Sequence, residues 1–238
     1  MAYQSVFQRF ESKYMISRIQ KQRLLDAMAP YMALDKYGRT VIRNIYFDTP
    51  DFRLIRRSIE KPPYKEKLRL RSYGPATPDS QVFVELKKKY DSIVYKRRLA
   101  MTEAHALNWI SGGIVPVETQ IAREIDYFRN FYSGLQPTVF LSYAREAYYC
   151  RSGSDFRVTF DDEILCRSHD LSLALPQAGD PILPDGMILM EIKCSGGIPL
   201  WMTQFLTKER IFRTSFSKYG TAYQKRIYPK LQGGHQYA

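Results

Sequence analysis

The sequence predicts an α+β protein in which about eight antiparallel strands close into a barrel with helices packed on its outside. Three observations predict this. Eight segments alternate with a period of two residues, clusters of Gly, Pro, Asp and Ser separate several of them, and charged side chains repeatedly gather on one face of a strand. Side chains two apart in a strand point the same way, so the alternation says which residues share a side.

In chain order the strand segments are Phe7–Ile16, Thr40–Phe47, Lys65–Tyr73, Gln81–Lys89, Ile93–Met101, Thr138–Tyr149, Phe156–Asp161 and Met187–Cys194. GPATPDS (74–80) and SGSD (152–155) supply turn chemistry between neighbours. Helices fill the gaps. Ser17 followed by Gln20 reads as a capping box opening a helix to about Met28, with Ile19, Leu24, Leu25 and Met28 on its apolar face. Thr102 caps a short helix through Trp109, and residues 118–132 line up Ile121, Ile125 and Phe128 on one stripe. Pro199 precedes a helix over roughly 200–211, and Ser217 opens a last one through about Ile227. No repeat, low-complexity run or long linker divides the chain, so residues 1–228 read as one domain and 229–238 (PKLQGGHQYA from Pro229) as a disordered tail.

The charged faces carry the chemistry. Lys67, Arg69 and Arg71 share a face opposite Leu68 and Leu70; Glu85, Lys87 and Lys89 lie opposite Val82, Val84 and Leu86. Lys96 aligns with Arg98, Glu191 with Lys193, and Arg9, Glu11 and Lys13 lie opposite Phe10 and Tyr14. Arg145, Arg157 and Asp161 add to the set. For any single strand, a solvated charged face is the simpler reading. Repetition over six or more strands favours a barrel whose apolar face points outward under the helices, collecting the charges inside. Such a crowd of cations needs glutamates and a bound anion to offset it, and arginine's fork matches phosphate oxygens.

Composition agrees with an anionic ligand. The chain of 238 residues has a formal net charge of +12, which favours phosphate-rich partners. Tyrosines and phenylalanines do not interleave with the basic runs as stacking platforms would, which argues against nucleic acid. Cys150, Cys166 and Cys194 are odd in number and lack metal-type spacing, as expected of reduced thiols in a cytoplasmic protein. The charged N-terminus lacks the apolar core of a signal peptide, and no apolar run is long enough to span a membrane.

Nine fragments resemble, in order, the catalytic domain of the vacuolar transporter chaperone (VTC) polyphosphate polymerases, within the CYTH-like triphosphate tunnel metalloenzymes. After RFESKYMI (9–16) come NIYFDTPDF (44–52), KLRLRSYG (67–74), VFVELKKK (82–89), YKRRL (95–99), SYAREAY (142–148), FRVTFD (156–161), LMEIK (189–193) and FSKY (216–219). The resemblance implies a cationic tunnel in which Lys13, Arg69, Arg71, Lys87, Lys96, Arg98, Arg145, Arg157 and Lys218 hold ATP and a phosphate chain. It implies a divalent cation, Mn or Mg, at Glu191, with Glu85 and Glu11 as further candidates; for Glu85 and Glu191, charge balance among lysines is the competing reading. The implied reaction passes the γ-phosphoryl of ATP to a growing polyphosphate chain. The hydrolytic branch carries Glu-x-Glu-x-Lys on its first strand, whereas this chain has Arg9-x-Glu11-x-Lys13. That departure leans toward synthesis over a tripolyphosphatase or nucleoside triphosphatase; a non-catalytic polyphosphate-binding module is the third reading. The sequence leaves oligomeric state open.

Overall fold

The structure is a computed structural model that describes residues 10–91 and 93–233. The protein is α+β, with a large antiparallel sheet and helices packed against it. The strands are β1 (Phe10–Ser17), β2 (Met32–Leu34), β3 (Thr40–Asp48), β4 (Tyr64–Tyr73), β5 (Gln81–Tyr90), β6 (Ile93–Thr102), β7 (Gln136–Cys150), β8 (Arg157–Arg167), β9 (Asp180–Pro181) and β10 (Met187–Cys194). Hydrogen bonding orders them β1-β10-β8-β7-β3-β4-β5-β6, with β2 on β7 and β9 on β8. The helices are α1 (Arg18–Met28), α2 (Arg53–Ile59), α3 (Glu103–Ile110), α4 (Gln120–Phe131), α5 (Leu200–Lys208), α6 (Lys218–Ala222) and α7 (Tyr228–Gly233), with a π-helical turn at Tyr223–Ile227. No described helix is long and apolar enough to cross a membrane.

The chain divides into two compact units, each made of three segments. The first comprises Met1–Val41, Tyr143–Ile164 and Leu183–Ser217. In it β1 pairs with β10 and β10 with the start of β8, all antiparallel. The aliphatic alternates Ile188, Met190 and Ile192 of β10 meet Val158 and Phe160 of β8, Leu24 and Met28 of α1, and Met202 and Leu206 of α5. That burial fixes register, because a one-residue slip would expose every one of them. The expected capping box at Ser17 is complete: the Gln20 backbone N–H donates to the Ser17 hydroxyl, and the Ser17 N–H donates to the Gln20 side chain. Pro199 starts α5 as expected, although the helix ends at Lys208.

The second unit comprises Ile42–Ser142, Leu165–Ile182 and Lys218–Ala238. Strands β3, β4, β5 and β6 form a continuous antiparallel ladder. One face presents Ile45, Phe47, Leu68, Leu70, Val82, Val84 and Leu86 to Ala106 and Trp109 of α3 and to Ile125 and Phe128 of α4. The opposite face is therefore left to the polar alternates. Arg97 shows the parity clearly: one residue out of step with Lys96 and Arg98, it donates to Glu124 of α4 at 2.7 Å. Thr102 and Thr119 cap α3 and α4 by accepting from the backbone of His105 and Ala122.

Four elements differ from the sequence reading. The stretch containing Arg53, Arg56 and Arg57 forms α2, preceded by Phe52 in the left-handed conformation at φ 58°. No side chain of Phe52 caps it; instead the Asp48 carboxylate accepts from the backbone of Leu54 and Ile55 at 2.8 and 2.9 Å. The short strands β2 and β9 are too brief to show a period. The tail expected to be disordered from 229 is helical through Gly233, because α7 continues the π-helical turn and the Tyr228 ring packs 5.8 Å from Tyr223. Residues 7–9 of the expected first strand and 234–238 of the tail lie outside the described residues.

Candidate functional site

In the second unit the polar face of β4–β6 is a register-aligned grid. Lys65 lies opposite Lys89, Lys67 opposite Lys87, and Arg69 opposite Glu85. On the far side of β5, Lys87 lies opposite Lys96 and Glu85 opposite Arg98. With Arg71 on β4, eight cationic residues share this face with one carboxylate. Directly opposed like charges destabilise a sheet, so the Lys67–Lys87–Lys96 row needs compensating charge.

Glu85 is the hub, with its side chain 1% exposed. Arg69 donates to its Oε2 through Nε at 2.8 Å, and Arg98 donates to Oε1 through Nε at 2.6 Å. The Lys96 ammonium is 2.7 Å from Oε1, and Arg71 Nε is 3.7 Å from Oε2. Burial alone would raise the Glu85 carboxyl; the four cations outweigh it and hold the group well below the usual carboxylate range. Burial of the ammonium, with Arg69 and Arg98 adding to it against the pull of Glu85, pushes Lys96 down to about 7. Although 43% of the Lys96 side chain is exposed, its ammonium abuts a buried oxygen, and desolvation acts there.

A second layer orients the arginines. Arg69 donates to the Tyr46 hydroxyl at 3.0 Å, and Arg71 donates to Asn44 Oδ1 at 3.0 Å. Asn44 in turn donates to the Leu141 carbonyl at 3.0 Å. Tyr46 stacks on Tyr219 of α6 with ring centroids 4.7 Å apart, and the Tyr219 hydroxyl donates to Asp48 at 2.9 Å. Tyr46 and Asp48 are not among the site residues that the sequence predicts. Their alternation with Asn44 on β3, in line with Arg71 and Arg69 across the ladder, was the available signal. Lys218, the first residue of α6, is half-buried.

In the first unit a separate cluster surrounds Glu191. Lys13 lies directly across from it on β1, with Nζ 3.7 Å from Glu191 Oε1, 3.5 Å from Glu11 Oε1, and donating to the Phe216 carbonyl at 2.8 Å. Lys193 Nζ is 3.3 Å from Glu191 Oε2, and Arg145 approaches the same oxygen at 3.8 Å. Arg145 makes a bidentate pair with the fully buried Asp161, at 2.5 and 2.6 Å. Burial opposes charge on Arg145, but Tyr143, Asp161 and Glu191 carry it well above its ordinary value. Arg157 is exposed and sits opposite Lys193. Arg9, which completes the Arg9-x-Glu11-x-Lys13 run, lies outside the described residues.

The fit to a divalent cation differs between the carboxylates. Glu11 and Glu191 both face one cationic position, that of the Lys13 ammonium, and a hard cation takes one or two such carboxylates together with phosphate oxygens and water. Glu85 already has cations on both oxygens, which are the contacts of a counter-ion. Among the described residues no group of three or more His, Cys, Asp or Glu converges as a ready-made metal cage.

Two solved structures superpose on most of the chain. A Bacillus halodurans protein described as a candidate adenylate cyclase superposes with a TM-score of 0.57 at 16% identity, covering 94% of this chain and 99% of its own. A Hippeastrum protein described as a candidate adenylyl cyclase with a dominant triphosphatase activity superposes with a TM-score of 0.53 at 14% identity, covering 91% and 96%. At such identities the likeness is one of fold alone. No curated protein matches. The VTC domain is matched over residues 8–227, nearly the whole length, and the chain belongs to the VTC domain family.

Proposed function

We propose that this protein is a metal-dependent polyphosphate polymerase that passes the γ-phosphoryl of ATP to a growing polyphosphate chain. The observation that carries the reading is the β4–β6 face, eight cationic residues around one buried carboxylate, which calls for a ligand of repeating negative charge. Membership of the VTC domain family supports the same substrate class. Arg69, Arg71, Lys87, Lys96 and Arg98 bind the phosphate oxygens, arginine by its fork and lysine as a point charge. The family resemblance implies further phosphate contacts at Lys13, Arg145 and Arg157 of the first unit and at Lys218 of the second. Glu85 keeps Arg69 and Arg98 extended across the face rather than folded onto other partners.

Phosphoryl transfer asks for in-line positioning and for charge stabilisation on the non-bridging oxygens, and fixed guanidinium and ammonium groups supply both. Mn or Mg, held by Glu191 with help from Glu11, would neutralise further phosphate charge. A tripolyphosphatase is the second reading, favoured by the Hippeastrum structural relative and its described activity.

Purified protein incubated with ATP and Mn²⁺ tests the proposal. Long, acid-labile phosphate polymer is the expected product. Orthophosphate without polymer would replace synthesis by hydrolysis, and tight tripolyphosphate binding without turnover would reduce the protein to a binding module.

A further inference from the structure

A second cationic feature lies in the same unit on residues that the proposed reaction does not use. Arg43 and Arg167 are 6% and 7% exposed, and among the described residues neither has a carboxylate within 4 Å. Their guanidinium groups donate to main-chain carbonyls of one loop, although Arg43 Nε is buried without a partner. Arg43 donates to Leu173 and Leu175 at 2.8 and 2.5 Å. Arg167 donates to Asp170, Ser172, Pro176 and Ala178 at 2.9–3.3 Å and lies 3.7 Å over the Phe140 ring. Burial depresses both from their ordinary values, yet both remain charged at neutral pH. The Asp170 charge offsets part of that on Arg167, while the carbonyl dipoles satisfy hydrogen bonds without cancelling a buried charge.

The loop packs tightly where it returns. Gly179 has φ +142°, and a Cβ there would come within 2.4 Å of the Cys166 carbonyl oxygen. Beyond it β9 meets the π-helical turn, where Arg226 donates to the Pro181 carbonyl at 3.0 Å and Lys225 reaches the Ile182 carbonyl at 3.4 Å. Such turns are uncommon and concentrate at functional sites, because the extra residue re-aims side chains. Arg226 Nε is buried without a hydrogen-bond partner. Between these elements is a small cleft that opens to solvent, lined by Arg167, Ser168, His169, Asp180, Arg226 and Lys230. Three cations face one carboxylate there.

From the orphaned Arg226 Nε and the excess of cations over carboxylates in the cleft it lines, we infer that this cleft binds a phosphate group, free or terminal on pyrophosphate. Arg226 supplies a vacant donor and Lys230 a mobile charge, while Ser168 and His169 line the opposite wall. Occupancy ties the β9 loop to the C-terminal helix and compensates Arg167. The site is independent of the polymerase reading.

The test is a titration of ¹⁵N-labelled protein with inorganic phosphate and, separately, pyrophosphate, followed by amide chemical shifts. The expected result is saturable shifts at residues 166–169, 179–180 and 226–230, with affinity at least about tenfold weaker in Arg226→Gln/Lys230→Gln, the loss of two charge-assisted contacts. Lys230 is exposed, so Lys230→Gln alone, expected to weaken binding about threefold, serves should the double variant fold poorly. Whichever probe binds tighter is the better occupant. No saturable shift at these amides, or unchanged affinity in the variants, would overturn the site. Since the readout is residue by residue, phosphate binding on the β4–β6 face registers elsewhere and leaves the two conclusions separable.

Discussion

Glu85 and Arg98 face each other across β5 and β6, and Arg98 Nε donates to the buried Glu85 Oε1 at 2.6 Å. Arg69 grips the other oxygen from β4, so one carboxylate bridges three strands. Removing it strands Arg69, Arg71, Lys96 and Arg98 together. Glu85→Gln is expected to cost about 3–5 kcal/mol at pH 7, measured by urea unfolding. The Glu85 carboxyl titrates far below its unfolded value, so its stabilisation is complete above about pH 4.5 and is lost as pH falls. The gap between wild type and variant therefore narrows below pH 4. A loss under 1 kcal/mol at pH 7 would mean that Glu85 is no hub.

Lys96 has the opposite sign. Its folded pKa, about 7, lies below the unfolded value, so the cost of charging it in the fold is felt at low pH and relieved as pH rises from about 7 to 10. A bound phosphate chain favours the charged form, so affinity for tripolyphosphate should fall as pH rises through 7. The ligand titrates too, which makes Lys96→Arg the reference: its affinity should be flatter over pH 6–9 than that of wild type. Parallel profiles would remove Lys96 from the binding face.

Asp161→Asn tests the first-unit cluster. It leaves the Arg145 guanidinium without its bidentate anion, at a cost of about 3 kcal/mol. Replacing both residues, Asp161→Leu with Arg145→Met, should recover most of that loss, because a buried pair exchanged for apolar groups is close to neutral. Failure of the double variant to recover would show that Asp161 supports something other than Arg145.

Tyr219→Phe removes one of five donors to the fully buried Asp48, the others being the Thr49 hydroxyl and the backbone N–H groups of Thr49, Leu54 and Ile55. A loss of about 1–3 kcal/mol is expected at pH 7. Burial already raises Asp48, and the Tyr219 hydroxyl works against that shift. The variant raises Asp48 further, so its deficit should shrink as pH falls and the carboxyl takes up a proton. A deficit that does not change with pH would separate Tyr219 from Asp48.

Strand parity made much of this legible. Lys67, Arg69 and Arg71 alternate with Leu68 and Leu70, and the polar face of β4 follows from that alternation alone. Register was not legible. That Glu85 meets both Arg69 and Arg98 depends on how three strands align, and alternation does not contain alignment. The same holds for Lys13 and the Phe216 carbonyl, 203 residues apart. Helix α2 escaped notice because it is short, follows a left-handed Phe52 and takes its cap from Asp48 five residues upstream of Arg53. The loop around Arg43 and Arg167 has no periodic signal at all; its order comes from carbonyls converging on guanidinium groups.

Calorimetric titration with tripolyphosphate is the most direct test that the β4–β6 face holds a phosphate chain. Lys67→Ala and Lys87→Ala, opposed in the lysine row, should each weaken binding about tenfold, whereas Arg56→Ala on α2 should leave it unchanged. Wild-type affinity in both lysine variants would contradict the account.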